Sequence, residues 1–315
     1  MKPRGLALQA VVAAALALAA WIFYRNTADN LAARGIASGF AFLWREAGFE
    51  IGETGLLAYS AADSYLRALV VGLANTVRVA AIGIVLATVL GALLGLARLA
   101  PNWLLARLAG AYVEVVRNVP LLVQLFFWYA LLSEGLPPPA EALQPFPGVY
   151  VSNRGIFFPL PGDAPELSGF NFAGGAALSP EFATLLIGLT TYTAGFIAEI
   201  VRAGILSVPR GQVDAARSLG LARRAELRHV VLPQALRLMV PPMTSQYLNL
   251  TKNSSLAVAI GYPDLVSIAN TTMNQTGQAI EGVAVIMAVF LTISLSISAF
   301  MNWYNRRAAL RGLAG

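Results

Sequence analysis

Four polar side chains of this 315-residue chain, Glu199, Asn249, Lys252 and Asn253, stand inside or at the edge of long apolar stretches. Burying an ionisable group in a low-dielectric interior is costly, so a residue found there is a functional candidate by default. Glu199 can attract an ammonium, or it can be neutralised by Arg202 or by an arginine of the segment that follows. Lys252, with Asn249, Asn253 and Ser254 beside it, can meet a carboxylate or can anchor a helix end at an interface. Glu114 and Arg117 are three apart and are expected to pair on one helix face. Arg78, near the end of its apolar stretch, is expected to snorkel to the surface. Catalytic chemistry has little to work with. There is no cysteine and a single histidine, His229, which excludes thiol nucleophiles, disulfide frameworks and multi-histidine metal or haem sites. Lys2 and Lys252 are the only lysines and neither follows glycine, so no phosphate-binding G-x-x-x-x-G-K-[ST] loop exists. No catalytic residue, cofactor or metal is expected, and His229 has a structural role.

The elements that must position these groups follow from composition. Hydrophobic residues make up 57% of the chain and charged ones only 12%, about half the ~25% usual in soluble domains. A water-facing surface cannot be built from so little charge. Six stretches have the length and apolarity to span a bilayer, for which about 20 residues are needed. They are Gly5 to Tyr24, Ala68 to Ala97, Asn118 to Ser133 (extended backwards by Ala109–Val116), Phe182 to Val201, Leu232 to Lys252 and Gly282 to Asn305. No small-residue cleavage site precedes Trp21 to Tyr24, so the first is expected to be an uncleaved span rather than a signal peptide. Gly91 and Gly95 form a G-x-x-x-G that lets another helix approach closely. Trp303 and Tyr304 suit a headgroup interface.

Charge then sets the orientation. Segments 1–4, 98–117, 202–237 and the tail are net positive, whereas 25–67, 134–181 and 251–282 are net negative. Every second loop is positive, which places both termini and 202–237 in the cytoplasm. The formal net charge of +6 is thereby explained without nucleic acid. Gly35 to Phe49 is expected to be interfacial or re-entrant, and Leu256 to Ile268 a short helix dipping into the outer half of the membrane. The proline-rich 134–181 segment is expected to be an ordered but irregular extracytoplasmic insert.

Between spans four and five, Ser207 is a plausible N-cap and Pro209 suits a first helical turn. A helix to Leu219 would stop at Gly220, where positive φ is available. A second helix would run to Leu232, with Pro233 opening the next span. Ala215, Ala216 and Gly220 are small enough to permit close docking. The spacing Asp214-Ala215-Ala216, three residues, Gly220, nine residues, Val230, one residue, Leu232-Pro233 resembles the EAA loop of ABC importer permeases, with Asp for Glu and Val for Ile. Tyr112-x-Glu114-x-x-Arg117-Asn118-x-Pro120-Leu121-x-x-Gln124-x-x-Phe127 looks like the signature of the polar amino acid (histidine/glutamine permease) branch. So do Ala198-Glu199-Ile200-x-Arg202-x-Gly204-Ile205, Leu232-Pro233-Gln234-Ala235 with Pro241, and Lys252-Asn253-Ser254-Ser255-Leu256. The extra first span and the long insert are similar to the larger general L-amino acid and glutamate/glutamine/aspartate/asparagine permeases.

This resemblance implies an all-α integral membrane protein of about six helices, with the type I importer permease fold and an added N-terminal span. Residues 1–66 would hold that span and an extracytoplasmic segment, 67–303 the permease domain with its 134–181 insert and 204–233 coupling hairpin, and 304–315 a cytoplasmic tail. It also implies two copies of an ABC ATPase docked on Asp214, Ala215, Ala216, Gly220, Leu232 and Pro233. A second permease subunit, expected to be a paralogue, and a periplasmic amino-acid-binding protein complete the implied assembly in the bacterial inner membrane. An autonomous ion-coupled transporter or a channel is the rival. It would want paired acids or a proton relay at mid-membrane, or inverted repeats, and the sequence offers none.

Overall fold

A computed structural model describes residues 3–310, apart from 34, 36, 37 and 56. Its helical body is organised around α2 (Tyr65–Ala97) and α5 (Pro180–Leu206), which run parallel in close contact, Arg78 beside Phe182 at one end and Gly95 beside Ala198 and Val201 at the other. The G-x-x-x-G of α2 sets their separation. A Cβ on Gly91 would lie 2.6 Å from that of Ile197, and one on Gly95 would lie 2.8 Å from the Ala198 carbonyl oxygen. Capping fixes where these helices start: the Ser64 hydroxyl accepts the Arg67 N–H at 3.3 Å, and the Ser179 hydroxyl accepts that of Phe182 at 3.1 Å. Pro180 and Glu181 suit the first turn of α5.

The other helices are α1 (Pro3–Ala33), α3 (Trp103–Asn118), α4 (Leu121–Ser133), α6 (Arg210–Ser218), α7 (Arg223–Glu226), α8 (Leu232–Asn253), α9 (Leu265–Thr276) and α10 (Ala279–Leu310). One core joins α2, α4, α5 and α8 through Ala87, Leu125, Leu185, Ile197, Ala235 and Leu250. A second, at the end of α2 remote from the 207–232 hairpin, gathers Phe42, Ile51, Tyr65, Leu69, Leu265 and Ile268.

Among the described residues, three helices are long and apolar enough to cross a membrane: Tyr65–Ala97, Pro180–Leu206 and Ala279–Asn305. The expected third span is not one straight helix. α3 and α4 meet at 104°, because Pro120 has no N–H and disfavours helical backbone at Val119. Gln124 stabilises the corner by donating from Nε2 to the Val116 and Val119 carbonyl oxygens at 2.8 and 2.9 Å. α8 has the length of a span but not the apolarity, and α1 contains a shorter apolar stretch, Val11–Thr27.

The 134–181 insert is ordered β structure, which corrects the expectation of an irregular segment. Strands β1 (Leu143–Phe146), β2 (Val149–Ser152), β3 (Gly155–Phe158) and β6 (Ala176–Leu178) form an antiparallel sheet in the order β1-β2-β3-β6. β4 (Glu166–Ser168) and β5 (Asn171–Ala173) make a separate hairpin. Phe172 fastens that hairpin to the sheet, 4.6 Å from the Tyr150 ring and 4.9 Å from Phe157. The prolines are compatible because Pro145 lies on edge strand β1 and the others lie outside the strands. The fold is therefore helical with a small β insert rather than all-α.

Phe40–Trp44 is one 3₁₀ turn whose Phe42 packs edge-on against Tyr65 at the start of α2, and residues 36 and 37 of the Gly35 to Phe49 stretch lie outside the described residues. One further expectation changes. Leu256 to Ile268 is not a single helix: Ser254–Ile260 is a 3₁₀ segment, and α9 begins only after Asp264, whose carboxylate accepts the Ser267 N–H at 2.8 Å.

Candidate functional site

The hairpin between α5 and α8 is built from local sequence. α6 ends in a Schellman closure, with the Leu221 N–H on the Ala216 carbonyl at 3.1 Å and the Gly220 N–H on that of Arg217 at 2.9 Å. Gly220 adopts φ +76°, as expected. No heavy atom lies within 4 Å of where its Cβ would be, so the requirement within this chain is conformational rather than steric. Ser207 is not the N-cap of α6; its hydroxyl donates to the Gly204 carbonyl at the end of α5, and Pro209 occupies the cap position. The second helix reaches Leu232 but not as one α-helix: α7 passes through a π turn, Leu227–Val231, straight into α8. Pro233 follows that turn, where its missing N–H leaves a carbonyl of the preceding turn without its helical donor.

Glu226 holds the hairpin shut. Its side chain is 1% exposed and accepts a hydrogen bond from Arg217 Nε at 2.9 Å and another from Arg223. The Arg217 hydrogen bond holds the carboxyl below the usual carboxylate range, against the opposing effect of burial, and the charges of Arg217 and Arg223 add to the lowering. Sequence reasoning gave Glu226 no role. A glutamate nine residues from one arginine and three from another has an i, i+3 partner in view but no indication of burial.

Of the expected docking residues, Asp214, Ala215, Gly220, Leu232 and Pro233 are exposed, whereas Ala216 is buried against the chain itself. Leu219, passed over in the sequence, is 79% exposed beside Gly220. The tip therefore presents one apolar side chain among Arg210, Arg217, Arg223 and Arg224, all exposed. Such a surface can seat leucine in an apolar pocket of a partner whose rim is acidic. His229 is exposed on the π turn.

The remaining candidates lie deeper. Glu199 is clamped by two arginines, Arg202 at 2.5 Å and Arg98 at the end of α2, so its partners are Arg202 and an arginine outside the hairpin. Asn249 and Lys252 are exposed and Asn253 is partly so, whereas Leu250 and Thr251 between them are buried. Leu238, Pro241, Pro242, Ser245, Asn249 and Lys252 thus form one face of α8 that its own chain leaves uncovered, apolar towards the hairpin and polar beyond it. The structure does not bring Glu199 and Lys252 together. Gly95 packs at the level of Ala198 and Gly83 at the level of Leu250; those glycines are separated by ~18 Å of helical rise on α2. One amino acid cannot bridge that distance. Glu114 and Arg117 form no ion pair among the described residues; the Arg117 guanidinium lies 5.0 Å from the Phe196 ring centre. Arg78 does not snorkel: it pairs with Glu53 at 2.8 Å and lies 4.1 Å from the centre of the Phe182 ring.

A model of the family described as "Binding-protein-dependent transport system inner membrane component" matches residues 87–310, which include the hairpin, α5 and α8. The chain belongs to this family. It is a transmembrane permease component and not itself an enzyme. It is 45% identical to the putative amino-acid ABC transporter permease protein YhdX of Escherichia coli K12, over 95% of this chain and 92% of that one. It is 43% identical to AapQ, a general L-amino acid transport system permease protein of Rhizobium johnstonii, over 92% and 88%. The glutamate/aspartate import permease protein GltJ of Escherichia coli, at 34% identity, aligns with only 73% of this chain. Among solved structures, an amino acid ABC transporter crystallised with histidines superimposes with a TM-score of 0.57 at 25% identity, covering 77% of this chain and 95% of that one.

Proposed function

We propose that this chain is the inner-membrane permease subunit of an ATP-driven importer for polar or general L-amino acids, with both termini in the cytoplasm. The hairpin carries this reading. It exposes Leu219 within a ring of arginines at the end of a helical rod that continues without a loop into α8. Two copies of a separate ATPase would supply the energy, docked over Asp214, Ala215 and Gly220 with Leu232 and Pro233 at the base. Closure of that ATPase pair would move α8 as a rigid body. A second permease subunit, a paralogue of this one, would cover the bare face of α8, and a periplasmic binding protein would deliver the amino acid at the opposite end. The names of the relatives support the substrate class.

Within that assembly, Asn249, Lys252 and Asn253 would line the path and receive the substrate carboxylate, which needs a compensating partner once it leaves water. Glu199, already held by Arg98 and Arg202, would fasten the inner ends of α2 and α5. Affinity purification of this chain from its native membrane, followed by reconstitution into liposomes, tests the reading. The expected result is a retained P-loop ATPase and uptake that requires both ATP and a binding protein. Uptake by the chain alone, driven by an ion gradient, would overturn it.

A further inference from the structure

At the end of the molecule opposite the hairpin lies a cleft of about 430 Å³, walled by Glu50, Glu53, Glu181, Tyr262, Ser267 and Thr271 among others. Three carboxylates line it and no lysine or arginine does. Glu53 is satisfied, by Arg78 at 2.8 Å and by the Ser179 hydroxyl at 2.5 Å. Among the described residues, the other two have only neutral donors: the Ala61 N–H reaches Glu50 at 3.2 Å, and the Tyr129 hydroxyl reaches Glu181 at 3.3 Å. Tyr262, which is 0% exposed, also lines the cleft, and its hydroxyl has no hydrogen-bond partner. Buried polar atoms are ordinarily bonded, and this hydroxyl can accept as well as donate. The wall thus offers acceptors and negative charge, which a cationic donor fits.

The size of the acidic surface indicates what brings that donor. The 134–181 insert, which opens from the same end, has Arg154 against five acids. The 25–67 and 251–282 segments are also net negative. A field that broad steers a macromolecule rather than one small zwitterion. We propose that the cleft receives a lysine or arginine side chain of the soluble binding protein, and that this contact fixes the register of that partner on the permease. The proposal rests on the importer reading above.

The test uses the complete reconstituted complex and measures ATPase rate against binding-protein concentration at saturating amino acid. In Glu50→Gln/Glu181→Gln, the apparent KM for the binding protein should rise about tenfold at low salt, while kcat changes less than twofold. The wild-type KM should rise with salt and that of the variant should rise less. A matched neutralisation on the insert, Glu134→Gln/Glu166→Gln, should produce a much smaller change. Equal effects of the two pairs, or no change in KM, would overturn the cleft assignment. So would an unchanged binding-protein KM together with a shifted dependence on free amino acid. Glu50→Gln alone, on an exposed side chain, keeps the test open if the double variant fails to assemble. A wild-type complex indifferent to any binding protein would instead overturn the importer reading, and this proposal with it.

Discussion

The two ends of the molecule handle carboxylates differently. In the hairpin, Glu226 is closed off by Arg217 and Arg223, both within nine residues of it. At the far end the contacts cross the whole sequence. Ser179 reaches Glu53, Asn75 donates to the Pro263 carbonyl at 3.0 Å, and the Gly39 N–H meets Glu281 at 2.6 Å. There Glu50 and Glu181 are left without a cation of their own. One end is therefore a self-contained unit that can be gripped and moved. The other is a junction of distant segments with acceptor capacity in hand.

The largest effect should come from the self-contained end. Gly220→Val places a β-branched residue in the left-handed region, at a cost of ~1–2 kcal/mol, and breaks the Schellman closure that aims Leu219. Membrane insertion should be preserved, with uptake below about a tenth of wild type and the ATPase lost on purification. Normal uptake would mean that the geometry of the hairpin is incidental.

A pair of variants between the two ends should have smaller effects of different kinds. Lys252→Met should raise the KM for amino acid about tenfold, equivalent to ~1.4 kcal/mol of lost substrate contact. Glu199→Gln should leave that KM unchanged and lower the yield or melting temperature of the assembled complex. The opposite pattern in uptake kinetics would return Glu199 to the path.

The effect on transport should be smallest for a change at the far end alone, which is read in stability instead. Burial pushes the Asp264 carboxyl up to about 7, against hydrogen bonds from backbone N–H groups including that of Ser267. In the unfolded chain an aspartate titrates near ~3.9, so between these values the folded protein holds a proton that the unfolded one has lost. Stability should therefore fall as pH rises from about 4 to about 7 and then level off. Melting curves of purified protein should show a lower midpoint at pH 7 than at pH 5.5, and Asp264→Asn should flatten that difference.

This contrast also explains what could be read beforehand. The Asp214 to Pro233 spacing, the positive φ at Gly220 and the close approach at Gly91 and Gly95 are local patterns, and the sequence carries them directly. The bend at Pro120 is equally local, yet the sequence looks like one span there because apolarity runs through the proline unbroken. Proline content argues against helix in the insert but says little about edge strands and turns. The sequence shows Arg202 as an ion-pair partner for Glu199, whereas Arg98 is brought in only by the packing of α2 on α5. The far-end cluster of Glu53, Arg78, Ser179 and Tyr262 had no pattern to betray it, since its members come from four separate segments.

The continuity from α7 to α8 has a mechanical consequence. From Leu232 to Lys252 the shaft is ~30 Å long; a tilt of ~10° at its hairpin end would sweep the far end through ~5 Å. Halfway along, Pro241 and Pro242 remove two successive donors, which weakens the helix there. α8 is nonetheless one unbroken helix, so a load at the hairpin would move it as a unit, and any give would come first at the two prolines, between the hairpin and the segment bearing Asn249 and Lys252.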